Sequence, residues 1–185
     1  MQHQFKIHDV HEYMDRLSEG MDAKLTFSGW EQRLDLPDSV GSGFILRMMI
    51  RPGLEVLVEY LILRENLQLH IEQECQVLGL AYHVSGDRYC EWNGTPVTTS
   101  NSPGKTVFFT DRTKVHLETS SASKSCGIKV RLRPEQLGFF FEDEDERKRL
   151  EALLYPIKIR FATASLHLQS KQLLMIRCLA STQDH

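Results

Sequence analysis

The sequence predicts a mainly β protein, an all-β barrel or sandwich with one helix before it and helices after it. From Phe44 to Arg133, short apolar segments recur, separated by turn signals such as Arg51-Pro-Gly53 and Asn93-Gly94. After Pro134 the apolar residues follow helical spacing instead. With 41% hydrophobic and 25% charged residues, the composition is that of an ordinary globular domain.

The first predicted element is an amphipathic helix over residues 8–20, whose apolar residues share one side and which ends at Gly20. The stretch 95–104, rich in Thr, Ser and Asn, is predicted as a loop. Predicted strands occupy residues 44–51, 55–64, 66–73, 76–85, 88–92, 105–110, 114–119 and 127–133.

The predicted strands alternate apolar and polar residues, as half-buried antiparallel strands do. In 66–73, for example, Leu67, Leu69 and Ile71 alternate with polar side chains. A sheet closed on itself removes exposed edges and leaves an interior for a small ligand. Pro134 ends the strands, and helices are predicted to start there, near residue 142 and near Ser165.

Bulk properties exclude several classes of protein. A formal charge of −3 argues against a nucleic-acid surface, and the one tight basic cluster, 147–149, directly follows an acidic run on the same predicted helix. The four cysteines are scattered, which favours a reducing cytoplasm. No segment has the length and apolarity of a membrane span, and the N-terminus lacks a signal peptide, so we expect a cytoplasmic protein with no membrane partner.

The histidines do not form a metal-binding pattern. No His-x-His motif occurs, and His70 and Glu72 share the polar face of their predicted strand. His83 and His116 stand alone. We therefore expect no metal, no cofactor and no catalytic residues, and we interpret His70 and His116 as solvent-facing.

Three segments resemble the N-terminal effector half of AraC-type transcription regulators, and most of all the ferric-siderophore-responsive, pyochelin-regulator-like subgroup. They are Leu36-Pro-Asp-Ser-Val-Gly-Ser-Gly-Phe-Ile45, Ile50-Arg-Pro-Gly-Leu-Glu55 and His83-Val-Ser-Gly86. The stretch 166–179 resembles the helical segment that precedes the DNA-binding domain in that family. The resemblance covers about residues 34–180. It implies a cupin-like (double-stranded β-helix) barrel that binds a small effector, and helices that form a homodimer.

The resemblance also implies how the chain is divided. Residues 1–133 are expected to form an N-terminal arm and the effector-binding barrel, and 134–185 a helical dimerisation and linker segment. The helix-turn-helix domain of the family has no counterpart in this sequence, so DNA contact is expected only through a domain of the parent protein. Either the chain is a piece of a longer regulator or it is a free-standing sensor.

The candidate effector site lies around the predicted strand 76–85, one face of which carries the small residues Gly79 and Ala81 beside His83. An aromatic siderophore would stack on an aromatic ring there and pair with Arg88. Alternatively, Tyr82 and Trp92 are ordinary core residues and His83 is a buried histidine with satisfied hydrogen bonds. The candidate ligand-binding residues are Tyr82, His83, Arg88, Tyr89 and Trp92.

The final predicted helix carries an apolar stripe that must be buried. Two copies related by a two-fold axis would bury both stripes, although the stripe could instead pack on its own barrel. The candidate dimerisation residues are Leu166, Leu173, Leu174 and Ile176. We expect an effector-sensing and dimerisation domain that is not an enzyme; the alternatives are a cupin-fold enzyme acting on a small metabolite and a free-standing small-molecule carrier.

Overall fold

The strands of this chain form two sheets, seen in a computed structural model that describes residues 1–100 and 104–140, together with 143, 145 and 148. The elements are β1 Gln2–Ile7, α1 Glu12–Met21, β2 Leu25–Ser28, β3 Glu31–Asp35, β4 Gly41–Arg51, β5 Leu54–Leu63, β6 Leu67–Gln73, β7 Val77–Ser85, β8 Arg88–Trp92, β9 Thr95–Ser100, β10 Gly104–Thr110, β11 Thr113–Thr119, β12 Ser125–Leu132 and the 3-10 helix η1 Pro134–Phe140. The predicted mainly β fold class is confirmed.

The smaller sheet has five strands in the order β1-β6-β11-β8-β9, and the larger has seven in the order β10-β7-β12-β5-β4-β3-β2. Strand β1 runs parallel to β6, and every other recorded pairing is antiparallel. Successive strands therefore cross between the sheets: β5 and β7 belong to the larger sheet, and β6 and β8 belong to the smaller one.

One half of the space between the sheets is an apolar core. Strand β6 contributes Leu67, Leu69 and Ile71, which are buried as their alternation predicted. Helix α1 buries one face, including Met14 and Leu17, against the same cluster. Burial of apolar surface stabilises a fold by about 25 cal/mol per Å², so this cluster holds α1 and the two sheets together.

Several strands towards the edges of the sheets were not predicted. The predicted loop 95–104 contains β9, which pairs with β8 across the Asn93-Gly94 turn. Both turn residues have positive φ, 46° and 79°, as a type I′ hairpin requires. Strands β1, β2 and β3 were not predicted either, because their sequences are short or polar.

The outer face of the larger sheet is unusually apolar. Leu80, Tyr82 and Ile128 are 39%, 43% and 42% exposed on adjacent strands β7 and β12. At one end of this face, Leu137 of η1 packs on a separate buried cluster formed by Leu54, Leu78, Phe109 and Leu132. Most of the helix predicted near 142, and all of the helix near 165 with the dimerisation residues Leu166, Leu173, Leu174 and Ile176, lie outside the described residues. The division at 133/134 stays a prediction.

Candidate functional site

The second half of the space between the sheets is charged. On β5 the inward positions are Glu55, Leu57 and Glu59, and both glutamates are buried, with 0% and 4% of their surface exposed. On β12 the inward positions include Lys129 and Arg131, whereas Ile128 faces outward. Charged side chains therefore occupy several inward positions of these two strands, next to the buried Leu57, where apolar residues are the usual occupants.

Strand pairing arranges the inward side chains in rows across the larger sheet. In each row, one residue from β5 lies beside one from β12, then one from β7, then one from β10. The rows are Glu55, Arg131, Gly79, Phe108; then Leu57, Lys129, Ala81, Thr106; then Glu59, Gly127, His83, Gly104. In the last two rows a small residue lies next to a charged one, Ala81 beside Lys129 and Gly127 beside Glu59.

Glu59 is the centre of the first charged cluster. Arg88 Nη2 lies 2.5 Å from its Oε1 atom, and Lys129 Nζ lies 2.9 Å from its Oε2 atom. Arg88 belongs to β8 of the smaller sheet, so this ion pair joins the two sheets, and Arg88 also donates to Ser125 Oγ at 3.0 Å. A Cβ on Gly127 would lie 3.2 Å from Glu59 Oε1, so the glycine makes room for the carboxylate.

The two cations keep Glu59 ionised. Burial by itself raises the pKa of a carboxyl group, but the charge of Arg88, and then the charge and hydrogen bond of Lys129, outweigh it. The result is a pKa of about 2 for Glu59, lowered from an ordinary 4.5. Burial opposes the charged form of Arg88 as well, yet Glu59 raises its pKa. The ion pair is therefore formed at every physiological pH.

Glu55 is the centre of a second cluster at the start of α1. Arg131 Nη1 donates to its Oε1 atom at 2.9 Å, and Arg47 lies 3.9 Å from Oε2. The backbone N–H of Gly53 donates to His11 Nε2 at 2.8 Å, so the proton of a neutral ring is on Nδ1, which lies 2.9 Å from Glu55. This arrangement fixes His11 as a donor to the buried carboxylate.

Three of the five candidate ligand-binding residues point between the sheets. Arg88 is in the Glu59 cluster. His83 lies in the same row of the larger sheet as Glu59, with Gly127 between them. His83 Nε2 lies 2.7 Å from the Gly86 carbonyl, to which it donates, while its buried Nδ1 has no hydrogen bond. Trp92 packs against the apolar core, and its ring meets Phe108 edge to face at 5.7 Å.

The other two candidates lie on outer faces. Tyr82 is on the opposite side of β7 from His83 and is 43% exposed. Tyr89 donates its hydroxyl to Glu91 at 2.8 Å and meets the ring of His116 edge to face. His116 in turn stacks on His70 at 4.3 Å on the same face. The structure therefore does not bring Tyr82 and Tyr89 together with Arg88.

The space expected beside Gly79 is filled. The ring of Phe108 from the neighbouring strand lies so close that a Cβ on Gly79 would be 1.9 Å from its Cζ atom. The small residues next to the charged cluster are instead Ala81, Gly104 and Gly127, which border Lys129 and His83. The charged residues Glu55, Glu59, Lys129 and Arg131 were not predicted as site residues.

Within residues 1–100 and 104–140 and the three isolated positions, no group of three or more His, Cys, Asp or Glu side chains is placed to hold a metal ion. In the same part of the chain, no helix has both the length and the apolarity needed to cross a bilayer.

Comparison with solved structures gives matches of low similarity. A transcriptional regulator of the HTH_3 family from Vibrio cholerae is 14% identical with a TM-score of 0.39, and the match covers 54% of this chain and 55% of that one. KdgF from Halomonas sp. is 12% identical with a TM-score of 0.37, covering 60% and 86%. An RmlC-like cupin from Shewanella frigidimarina is 10% identical with a TM-score of 0.36, covering 61% and 86%.

The chain spans about half the length of the Vibrio cholerae regulator. No curated protein sequence matches this chain. A family match, in contrast, extends over most of it: residues 41–181 match the family described as the regulatory protein PchR N-terminal domain. That stretch begins with β4, includes β5 to β12 with the whole Glu59 cluster and with Glu55, Arg47 and Arg131 of the second cluster, and continues through the predicted C-terminal helices. The chain therefore belongs to the family of PchR N-terminal regulatory domains.

Proposed function

We propose that this chain is the effector-sensing and dimerisation domain of an AraC-type transcription regulator, and that it binds a small molecule, such as a siderophore, between its two sheets. The observation that carries the proposal is the family match over residues 41–181. Effector binding would change how the C-terminal helices, and with them the DNA-binding domains of the parent protein, are presented. A ligand does this only by its different affinity for two states.

The charged half of the interior supports a binding role. Burying ionised groups costs several kcal/mol each, so charges placed there for stability alone are a poor choice compared with apolar residues. The side chains of Arg88 and Lys129 are each 16% exposed, whereas the side chain of Glu59 is only 6% exposed. Trp92 lies on the same strand as Arg88, four residues along and facing the same side, about 13 Å away.

The binding proposal is tested by tryptophan fluorescence. The chain has two tryptophans: Trp30 is 56% exposed, and Trp92 packs against the core. Trp30→Phe leaves Trp92 as the single reporter, and Trp92→Phe leaves Trp30 as the matched control. Titration with the ferric complexes of a phenolate and of a hydroxamate siderophore should change the signal of the Trp30→Phe protein and leave that of Trp92→Phe unchanged.

Native mass spectrometry of the purified chain provides a second measurement of the same proposal. We expect bound siderophore to appear as added mass on the folded chain. If neither siderophore changes the fluorescence or the mass, siderophore sensing is wrong. If the two single-tryptophan proteins respond equally, binding does not occur near Trp92.

Dimerisation is proposed from the apolar stripe of residues 165–180. In that stripe Leu173 is on the apolar side and Lys171 on the polar side of the predicted helix. Light scattering should show a dimer for the unmodified chain and a monomer for Leu173→Asp. Lys171→Asp is the control and should remain dimeric, since it introduces the same carboxylate away from the stripe. A monomeric unmodified chain would favour packing of the stripe on its own barrel.

The proposal treats the domain as a sensor without catalysis, and an enzyme or a carrier are the competing functions. If one of the siderophores, after incubation with the protein, is recovered chemically altered in more than stoichiometric amount, the domain is an enzyme. A carrier would bind its ligand with no change in oligomeric state or in the position of the C-terminal helices. Spin labels at residue 171 of each copy measure the distance between these helices. A distance that changes when ligand binds indicates a sensor, and an unchanged distance indicates a carrier.

A further inference from the structure

Positive and negative side chains are equal in number in the Glu55 cluster but not in the Glu59 cluster. Around Glu55, the two arginines Arg47 and Arg131 face two carboxylates, because Asp15 also lies 3.8 Å from Arg47. Around Glu59, two cations face one carboxylate. In the described part of the chain, the recorded ion pairs of Arg88 and Lys129 are both with Glu59. The Glu59 cluster therefore carries a net charge of about +1 inside the protein.

The excess positive charge is also the accessible part of this cluster. The side chains of Arg88 and Lys129 are each 16% exposed, against 6% for Glu59. Lys129 has Ala81 beside it, and Gly127 is its next inward neighbour along β12.

Hydrogen-bonding capacity at the cluster is incompletely used. Arg88 Nε is buried without a hydrogen bond, and the 2.5 Å approach of Nη2 to Glu59 is a close ion pair that lacks good hydrogen-bond geometry. His83 Nδ1, in the row of Glu59, is also buried without a hydrogen bond, but it is an acceptor in the neutral ring, because Nε2 donates to Gly86. Glu59 Oε1 is buried without a hydrogen bond as well, so the close ion pair leaves both a donor, Arg88 Nε, and an acceptor unsatisfied. Buried polar groups are normally satisfied, so the unused Nε–H of Arg88 can still donate to a further acceptor.

We propose that the Arg88–Lys129 pair is the subsite for an acidic group of the effector, and that the domain selects anionic ligands over neutral ones of the same shape. The inference rests on the proposed effector-binding function. The acidic group, a carboxylate or a comparable monoanion, accepts hydrogen bonds from Arg88 and Lys129 and completes the charge balance that Glu59 leaves open. Glu59 holds the two cations in place when no ligand is bound and competes with the ligand for them.

The test uses benzoate and benzamide, which share a ring and a planar head group but differ in charge. Binding is measured by calorimetry at constant ionic strength, because free salt screens the same cations. A charge-assisted hydrogen bond is worth roughly tenfold in affinity or more, so benzoate should bind at least about tenfold more tightly than benzamide. Equal affinities, or no binding of either compound, would overturn the subsite.

Variants of Lys129 attribute the selectivity to the cluster. Lys129→Met should reduce benzoate affinity to that of benzamide, and Lys129→Arg, which keeps the charge, should stay within about threefold of the unmodified chain. Lys124→Met is the matched control, because Lys124 is exposed one residue before the start of β12. Unchanged benzoate binding in Lys129→Met would assign the anion to another place.

Glu59→Gln distinguishes a binding role from a purely structural one. Removal of the competing carboxylate raises the charge of the cluster, so benzoate should bind several-fold more tightly while the ligand-free protein unfolds more easily. A structural role alone would weaken folding with no gain in benzoate affinity. The anion subsite and the effector function can fail separately. If benzoate and benzamide bind equally but siderophores still change the Trp92 fluorescence, the anion subsite is wrong and the effector function is not. If siderophores give no response, the effector function itself is wrong.

Discussion

Arg88 on β8 and Glu59 on β5 form an ion pair, at 2.5 Å, that links the two sheets across the interior. The residues are 29 positions apart in sequence and belong to different sheets. Apolar packing holds the other half of the interior, so in the charged half this pair and the Arg88–Ser125 hydrogen bond hold the sheets together. Charge here has a structural effect as well as the proposed binding role.

Arg88→Met should destabilise the fold by about 3 kcal/mol, because it removes one partner of a buried pair and leaves Glu59 with Lys129 alone. Arg16→Met is the control, since the exposed Arg16–Glu19 pair on α1 is a surface salt bridge, which contributes little to stability. Urea unfolding followed by circular dichroism measures both. Equal losses for the two variants would mean that the inter-sheet pair adds no net stability.

The sequence predicted the repetitive part of the fold and missed its edges. The strands with apolar alternation and clear turns, such as β6 and β7, were located to within one residue. Strands β1 to β3 escaped because they are short or polar and acquire strand structure only by pairing with a neighbour: β1 with β6, and β3 with β4. That pairing is set by tertiary contacts, which local propensity does not describe.

The site was predicted only in part, for a related reason. Charged residues that alternate with Val, Tyr and Ile on β5 are typical of a solvent-facing side, yet Glu55 and Glu59 are the buried ones. A partner for each charge comes from a distant strand, so the sequence gives no local signal that the burial is compensated. Arg88 was found because a ligand was expected there, whereas Lys129 was not.

Gly79→Ala should destabilise the protein by about 2 kcal/mol, because the new methyl group would lie 1.9 Å from Phe108 Cζ. In the double variant Gly79→Ala/Phe108→Leu, the smaller side chain makes room, so the two losses should not add. Gly20→Ala applies the same chemical change in helix α1, where the nearest atom is 3.4 Å away. That control should be neutral or stabilising. Thermal unfolding of these variants and of Phe108→Leu alone measures the losses, and additive losses would place Phe108 elsewhere.

Cys90 should resist thiol reagents in the native protein. Burial is the largest cause that raises the pKa of its thiol, to about 11, and the smaller opposing contributions of Trp92, Lys129 and Arg88 do not reverse it. Since the thiolate is the reactive form, modification at pH 8 is expected to be slow until the chain unfolds. Peptide mass spectrometry after treatment with iodoacetamide, with and without urea, measures the difference. Rapid native labelling of Cys90 would show that solvent reaches the inner face of β8.

Acid should weaken the fold through Glu59. Its pKa is about 2 in the folded protein and 4.5 ordinarily, so the unfolded chain takes up the proton first as the pH falls. The stabilisation is complete above about pH 4.5 and is lost progressively towards pH 2, with a total of about 3 kcal/mol. Other carboxylates titrate in the same window, and Glu59→Gln separates their contribution.

The measurement is the free energy of unfolding in urea between pH 2 and pH 6 for the unmodified chain and for Glu59→Gln. The variant is the less stable protein at pH 6, because Arg88 and Lys129 lose their carboxylate partner. The difference between the two proteins should shrink as the pH falls, since protonation removes the same charge from the unmodified chain that the substitution removes permanently. Parallel pH curves would show that Glu59 is not held ionised by these two cations.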